Sequence, residues 1–470
     1  MFSFALNLDP KGKTPMYEQL YTAIAEAVRT GALRHGEKLP SKLALCALLG
    51  VSRSTVETAY ELLRAEGYVT ARARSGFYAA DYVPLQAQEE APPFPAIRPQ
   101  EGTGREEALF STSAVDVSRF PYASWAKLYR EVVYNSPELL QRGLPQGEWS
   151  LRTALARMAS EFRGVRCGAE QVVVGAGVET LLEQLITLFG PEAIYAVEDP
   201  GYPAVERSLL ARGCAIRYIP QDEGGMETEE LEGSGATVAY LTPSHQFPLG
   251  VTMPASRRSR LLRWAAEGGG YIIEDDYDSE FRYGGRPISS MQGMDRHGRV
   301  IYLGTFSRSL APSIRLAYMV LPPELLDRHR TLFGRQQPTV SRYEQTVMAR
   351  FLEEGFYARY LRRVGNLYAE RRQCLLSALG RVEGVTVSGA SGGIHFLLTV
   401  PSLPERELAR RAEAAGLPLR GLSAFCRRVP APASTLVVGF GGLPTDRIGD
   451  AVSRLAAAWD LKTNDSHKNA

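Results

Sequence analysis

Apolar positions at helical spacing define a small unit near the start of the chain. Three runs between residues 15 and 67 carry an apolar residue at every third or fourth position, and each run ends at a glycine. They predict three helices that end at Gly31, Gly50 and Gly67. The expected apolar positions are Tyr17, Leu20, Ile24 and Val28 in the first helix and Val56, Ala59, Leu62 and Leu63 in the third.

The segment that follows, YVTARARSGFYAA, alternates around Ser75 and Gly76, which indicates a hairpin. Three helices followed by a hairpin are typical of a winged helix-turn-helix, which we place at 10–82. The next stretch, 83–107, is rich in proline, glutamate and glutamine and has no apolar period. This composition predicts a linker.

A different pattern begins at about residue 108 and predicts a large α/β domain over 108–465. Short continuous apolar runs alternate with helical ones, as in QVVVGAG, AIYAVEDP, TVAYLTP, YIIEDDY, VIYLGTF and LAYMVLP. Such runs indicate a mostly parallel central sheet that is buried on both faces. The last hundred or so residues, with GGIHFLLTVP and STLVVGFGGL, indicate a smaller α+β lobe.

Composition narrows the class of protein. With 44% hydrophobic and 23% charged residues among 470, the chain is typical of globular proteins, and it has neither a membrane-length apolar run nor a secretory signal. We therefore expect a cytoplasmic protein without a membrane partner. The five cysteines lie far apart without CxxC spacing, which argues against disulfides and against a zinc site. The net charge of +2 means that any contact with DNA must come from a local surface.

The third helix is the candidate for recognition of DNA. A helix-turn-helix lays the start of its second helix in the major groove, and here that start is Ser52, Arg53, Ser54 and Thr55. Arg53 is the candidate for bidentate recognition of guanine. The hairpin adds candidate phosphate contacts at Arg72, Arg74, Ser75 and Gly76. The alternative is a protein-binding module in which Arg53 is an ordinary exposed helix residue.

The segment LPSKLALCALLGVSRSTVETAYELLRAEGYVTARARSGFYAA resembles the GntR-type winged helix, and the resemblance implies DNA binding. One position departs from the family. Two residues after the serine of LPS the family has an arginine that contacts DNA, and this chain has Leu43. The neighbouring Lys42 is the candidate to substitute for that arginine in DNA binding.

Polar residues also follow the predicted strands of the large domain. Asp275 and Tyr277 come at the end of a strand, where open α/β sheets bind ligands, although an isolated acidic cluster there is more often a solvated loop. The run VVVGAGVETLL is a strand, a glycine turn and a helix start, which suits an anion. The run TFSRSLAPSIR adds Thr305, Ser307 and Arg315 as candidate phosphate ligands.

Together with EDPGYP, TPSHQFPLGVTMPASRR and IIEDDYDSEFRY, these runs resemble the MocR-type regulators, in which a GntR winged helix is fused to a fold type I aminotransferase-like domain. The resemblance implies a homodimer, a two-fold or repeated operator, and a site for pyridoxal 5'-phosphate (PLP). It implies that Asp275 pairs with the pyridine nitrogen, Tyr277 with the ring hydroxyl, and that Tyr202 lies near the ring. The implied phosphate ligands are Gly177, Val178, Thr305, Ser307 and Arg315.

The family's Schiff-base lysine falls on Arg308. A Schiff base needs a neutral amine, whereas a guanidinium stays protonated in proteins and is not a nucleophile. No lysine occurs between Lys127 and Lys462, and 47 of the 54 basic residues are arginines. A general preference for arginine explains exposed positions, but a catalytic lysine is expected to resist it. Arg308 therefore predicts a domain without aminotransferase activity. A second departure is the turn GLPQGEWS, where the family has Gly-Asp-Pro-x-Gly, and it suggests a remodelled pocket.

The resulting hypothesis is a transcription regulator that binds an operator and senses a small effector. The effector is PLP bound noncovalently, a PLP–amino acid adduct, or an amino-acid-like metabolite. Two alternatives stay open: a PLP-dependent aminotransferase with a vestigial winged helix, and a regulator whose pocket takes another ligand, such as a carboxylate held by Arg308 and Arg315. Without a cofactor, Asp275 can also form a salt bridge with Arg308.

Overall fold

The computed structural model describes residues 8–10, 12, 14–82, 109–284, 289–428, 430 and 432–464. The chain forms two compact units, Met1–Thr103 and Gly104–Ala470. The predicted linker, 83–107, lies outside the described residues. Within the described part of the chain, no helix combines the length and the apolar character that are needed to cross a membrane.

The first unit is a winged helix-turn-helix. Its helices are α1 (Met16–Arg29), α2 (Lys42–Leu49) and α3 (Arg53–Ala65), and its strands are β1 (Val69–Arg72) and β2 (Gly76–Ala79). Side chains of Ser41 and Ser52 cap the second and third helices, and Gly50 ends the second in a left-handed conformation. Strands β1 and β2 pair antiparallel. These local signals explain why the helix limits follow the sequence pattern closely.

Three details of this unit differ from the predicted pattern. Leu62 is 37% exposed, and the buried ring in its helix is that of Tyr60, whose hydroxyl donates to the carbonyl of Pro40. Tyr17 is likewise 36% exposed, because it lies in the first turn of α1, at the edge of the small core. Gly76 is the first residue of β2, and the turn precedes it with Arg74 in a left-handed conformation (φ 59°).

The helices of the second unit cover its sheets. They are α4 (Tyr122–Asn135), α5 (Trp149–Arg163), α6 (Val178–Phe189), α7 (Pro203–Ala211), α8 (Thr228–Gly233), α9 (Ala255–Gly268), α10 (Met291–Met294), α11 (Pro323–Phe333), α12 (Arg342–Glu353), α13 (Phe356–Leu379), α14 (Glu405–Ala414) and α15 (Ile448–Ala458).

The strands of the second unit form two sheets. The large sheet contains β3 (Val172–Gly175), β4 (Ile194–Asp199), β5 (Ala215–Asp222), β6 (Gly225–Met226), β7 (Val238–Leu241), β8 (Tyr271–Asp276), β9 (Val300–Thr305) and β10 (Ala317–Val320). The small sheet contains β11 (Thr386–Ser388), β12 (His395–Thr399), β13 (Arg420–Gly421) and β14 (Thr435–Gly439).

The large sheet has the order β3-β10-β9-β8-β7-β4-β5-β6. Strands β5, β4, β7, β8 and β9 are parallel, whereas β10 is antiparallel to both of its neighbours. This confirms the predicted mostly parallel sheet, and every residue of β3, β7, β8, β9 and β10 is buried. The carboxyl ends of β4, β7, β8 and β9 therefore meet at one edge. The small sheet is antiparallel, as expected for a separate lobe.

Candidate functional site

The start of α3 is an exposed polar surface. The Ser52 hydroxyl accepts from the backbone N–H of Thr55 at 3.2 Å and lies 2.9 Å from the hydroxyl of Ser54. The side chain of Arg53 is 70% exposed, and its Nε donates to Glu57 at 3.0 Å. This contact lowers the pKa of Glu57. Arg53 thus has an intramolecular partner in the carboxylate of Glu57.

Basic residues of α2 and the hairpin belong to the same unit. Lys42 Nζ lies 3.6 Å from Glu57 and above the ring of Phe77. The guanidinium of Arg72 lies 4.3 Å from the ring centroid of Tyr78. Leu43 is 70% exposed, so this position is open to a longer side chain. Lys42 and Arg53 therefore both lie next to the carboxylate of Glu57, whereas Arg72 belongs to the hairpin.

A cavity of about 190 Å³ lies at the carboxyl edge of the large sheet. Its walls include eight of the nine residues that the sequence predicted for a cofactor: Val178, Tyr202, Asp275, Tyr277, Thr305, Ser307, Arg308 and Arg315. The ninth, Gly177, lies against the guanidinium of Arg315. A Cβ on Gly177 would lie only 2.5 Å from Nη2 of Arg315. Gly177 has a φ of 101°, so both its conformation and its space favour glycine.

Asp275 presents a buried carboxylate. The hydroxyl of Tyr240 donates to its Oδ2, whereas Oδ1 has no hydrogen-bond partner among the described residues. Burial raises the pKa of Asp275 to about 7, and the bond from Tyr240 and the charge of Arg308 act in the opposite direction. An unpaired buried carboxylate oxygen is costly unless a ligand supplies the donor. Oδ1 therefore fits a protonated ring nitrogen.

The next residue, Asp276, uses its Oδ2 within the protein, and its Oδ1 has no hydrogen-bond partner among the described residues. Asp276 pairs with Arg163 at 2.6 Å and accepts from Tyr302 at 2.7 Å. Arg163 also donates to the hydroxyl of Ser244 at 2.5 Å. This buried ion pair ties α5 to β8 and to the loop after β7, and it holds the end of β8 in place.

The hydroxyl of Tyr277 is hydrogen-bonded within the protein. Its hydroxyl donates to the backbone carbonyl of His245 at 2.8 Å. Nδ1 of His245 lies 3.0 Å from Asp278, and its ring centroid is 4.7 Å from that of His395. Ligand atoms of these two histidines and Asp278 lie within 4.8 Å of one another. Because His245 is already engaged by Asp278 and His395 Nε2 lies 3.2 Å from the carbonyl of Pro248, we assign no metal to them.

Another part of the cavity wall has the chemistry of an anion site. Helix α6 begins at Val178, so its first backbone N–H groups lie at the end of the cavity that Arg315 also lines. Thr305 donates its hydroxyl to Ser307 at 3.1 Å. Nη2 of Arg315 donates to the carbonyl of Ala176 at 3.1 Å and lies 3.4 Å from Glu179. Hydroxyls, a helix N-terminus and a guanidinium together fit a phosphate group.

Arg308 lines the same cavity and is half-buried. Among the described residues it makes no hydrogen bond or ion pair, so the salt bridge with Asp275 that the sequence left open is not formed. Burial raises the pKa values of Asp275, Tyr277 and Tyr202, and the charge of Arg308 opposes the rise in each of them. Lys127 lies elsewhere, 68% exposed on α4 and paired with Glu131 at 3.8 Å.

Sequence reasoning missed several residues of the cavity. The walls also contain Ser113, Glu179, Thr242, Phe247 and Pro312, and Tyr240 supports Asp275 from the neighbouring strand. Thr242 and Phe247 lie in the run TPSHQFPLG, whose position just after a buried strand was the available signal. The turn GLPQGEWS does not line the cavity, and within it the backbone N–H of Glu148 instead donates to Gln345 on α12 at 2.7 Å.

Comparison with known proteins gives three kinds of similarity. Residues 16–79 match the family of bacterial regulatory proteins, gntR family. The HTH-type transcriptional regulator YdeL of Bacillus subtilis is 38% identical over 95% of this chain and 97% of its own, and the probable rhizopine catabolism regulatory protein MocR of Rhizobium meliloti is 32% identical over 97% and 96%. The crystal structure of Pyrococcus horikoshii kynurenine aminotransferase with PMP superposes with a TM-score of 0.68 and 27% identity over 75% of this chain and 91% of its own.

Proposed function

Because the chain belongs to the MocR-type transcriptional regulators of the GntR family, with a winged helix-turn-helix and an aminotransferase-like domain, we propose that its large domain senses a small effector and performs no transamination. The observation that carries this proposal is the position of Arg308 in the cavity beside Asp275, Tyr277 and Ser307. A guanidinium there cannot replace the amine that a Schiff base requires.

The cavity fits PLP held without a covalent bond. Asp275 would accept from the pyridine nitrogen through its unpaired Oδ1, and Tyr202 and Phe247 would bound the ring. Thr305, Ser307, Arg315 and the start of α6 would hold the phosphate, with Gly177 leaving room for the Arg315 guanidinium. Bound PLP supplies an electron-withdrawing ring, and in this chain that ring serves recognition.

The winged helix would bind the operator through α3. Arg53 would leave Glu57 and contact a guanine, while Ser52, Ser54 and Thr55 hold the backbone. Lys42 and the wing residues Arg72, Arg74, Ser75 and Gly76 would contact phosphates. Effector binding regulates transcription only if it has different affinity for two arrangements of the protein, so we expect it to change DNA affinity.

A homodimer in the cytoplasm completes the proposal. Large apolar side chains are exposed along one continuous segment of the large unit: Val117, Tyr122, Val133, Tyr134, Leu140, Leu144 and Trp149. Such a concentration is unusual for a surface that stays in water and suits the contact of a second copy. Two winged helices would then read a two-fold or repeated operator.

The experiment measures binding to the promoter DNA beside the protein's own gene by fluorescence anisotropy, with and without PLP. We expect PLP to change the apparent affinity severalfold, and we expect the Thr305→Ala/Ser307→Ala double variant to keep DNA binding but lose this response. An unchanged DNA affinity and footprint at saturating PLP would reject PLP as the effector. Transamination by the natural protein would instead favour the aminotransferase alternative.

A further inference from the structure

Arg308 places a guanidinium group in the wall of the ligand cavity. It is half-buried, and it makes no hydrogen bond or ion pair with the described residues. An arginine on the surface obtains its counter-charge from water and salt, but one in a cavity of about 190 Å³ loses that solvation when a ligand fills the space. The ligand must then supply an acceptor, or its binding is penalised.

The acidic groups of the cavity do not meet this need. Asp275 accepts from Tyr240, and burial favours its protonated form. Glu179, the other carboxylate in the walls, faces Arg315 at 3.4 Å. A ring nitrogen on Asp275 and a phosphate beside Arg315 would leave Arg308 as the one wall cation with no counterpart on the ligand.

Phe247 is a residue of the cavity wall that joins an apolar cluster of the small lobe. Phe247 packs against Phe425 with ring centroids 5.3 Å apart and against Tyr202 at 5.6 Å. Leu397, Leu422 and Val437 extend this cluster. Among the described residues that line the cavity, the cations are Arg308 and Arg315. A second anionic group on a ligand would therefore pair with Arg308 and not with the small lobe.

We propose that the effector carries two separate anionic groups, a phosphate held beside Arg315 and a carboxylate that pairs with Arg308, on or next to a phosphorylated pyridine ring. This inference rests on the proposed function, because it assumes that the phosphate end of the cavity is used. A carboxylate on the ring itself and the carboxylate of an amino acid joined to the ring have the same chemistry, and both are accommodated by a guanidinium fork.

Calorimetric titration with four probes that share the phosphate and the ring tests the proposal. The probes are PLP (aldehyde), PMP (amine), 4-pyridoxic acid 5'-phosphate (ring carboxylate) and phosphopyridoxyl-alanine (amino acid carboxylate). For the natural protein we expect at least one carboxylate probe to bind about tenfold or more tightly than PLP, with PMP the weakest because its amine is a cation. Which carboxylate probe is preferred identifies its source.

Two variants assign the preference to Arg308. Arg308→Gln removes a charge that forms no hydrogen bond or ion pair with the described residues, and the advantage of the carboxylate probes should fall to about twofold or less. Arg207→Gln is the matched control, since Arg207 is exposed on α7 and does not line the cavity, and the order of affinities should be unchanged.

The outcomes separate this inference from the proposed function. Equal binding of the four probes, or a carboxylate preference that survives in Arg308→Gln, overturns the inference while a phosphorylated ring remains the ligand. Failure of all four probes to bind overturns this inference and also the proposal that PLP occupies the cavity.

Discussion

The hydroxyl of Tyr240 donates a hydrogen bond to Oδ2 of Asp275, while Oδ1 of the same buried carboxylate has no partner among the described residues. The two residues come from the adjacent parallel strands β7 and β8. Tyr240 thus satisfies Oδ2 of Asp275, and Oδ1 is left for a ligand. A buried carboxylate oxygen without a hydrogen bond lowers the free energy of unfolding. Such groups are more typical of binding sites than of protein cores.

Tyr240→Phe should destabilise the protein by about 1–2 kcal/mol, because it leaves Oδ2 of Asp275 unpaired as well. Urea unfolding at pH 7 measures the change in free energy. Tyr195→Phe is the matched control. Tyr195 is buried on neighbouring β4, but its hydroxyl has no hydrogen-bond partner in the described part of the chain, so its removal should be neutral or stabilising. Equal losses in both variants would contradict the role of the Tyr240 bond.

The stability of the protein should fall between pH 5 and pH 8, and Asp275→Asn should reduce that fall. Burial raises the pKa of Asp275 to about 7, so between pH 4 and pH 7 the folded protein holds a proton that the unfolded chain has lost. The free energy of unfolding then decreases as pH rises through this window, by at most about 1.4 kcal/mol per unit of pKa difference. Glu198 contributes in the same direction, with a pKa of about 7. Urea unfolding of the natural protein and of Asp275→Asn at pH 5 and pH 8 gives the change in unfolding free energy with pH for each. An identical change in both proteins would refute the assignment to Asp275.

Arg308→Lys should give the cavity an amine that condenses with the aldehyde of PLP and releases water. We expect stoichiometric attachment, visible as an absorbance band and as a mass increase after borohydride reduction, and none at this position in the natural protein. Arg207→Lys places a lysine on the exposed surface of α7 as a control. Attachment in the control but not at position 308 would show that Arg308 does not occupy the amine position.

Arg53→Ala should reduce affinity for the operator by about 1–3 kcal/mol and have a smaller effect on random DNA, because a base contact is lost. Arg64→Ala removes the same charge at the other end of α3, where Arg64 pairs with Glu61 at 2.7 Å, and should affect both DNAs alike. Competition titrations at one fixed salt concentration measure the ratio. If the Arg53→Ala variant kept the sequence preference of the natural protein in footprinting, α3 would be rejected as a recognition helix that acts through Arg53.

Leu43→Arg should strengthen DNA binding and steepen its salt dependence by about one unit of log–log slope, since one phosphate contact is added. The fold should tolerate it because Leu43 is 70% exposed. Leu48→Arg is the control on the same helix, at its far end, and should leave the slope unchanged. Titrations at three or more salt concentrations distinguish the two variants.

The sequence by itself determined the local elements and the chemistry of single positions. Pro15, Ser52 and Gly50 act within a few residues of themselves, so the limits of α1, α2 and α3 followed from the pattern. Continuous apolar runs predicted the buried strands for the same reason, because a strand that is covered on both faces needs apolar residues at every position. That Arg308 cannot act as an amine needed no coordinates.

Only the tertiary structure decided the contacts between distant residues. Strand β10 runs antiparallel in a mostly parallel sheet, and an apolar run has no direction that the sequence reveals. Tyr240 reaches Asp275 because β7 and β8 are neighbours, although 35 residues separate them. Whether Arg308 pairs with Asp275 likewise depended on packing across the cavity, where hydrogen bonds compete over distances that periodicity and capping do not describe.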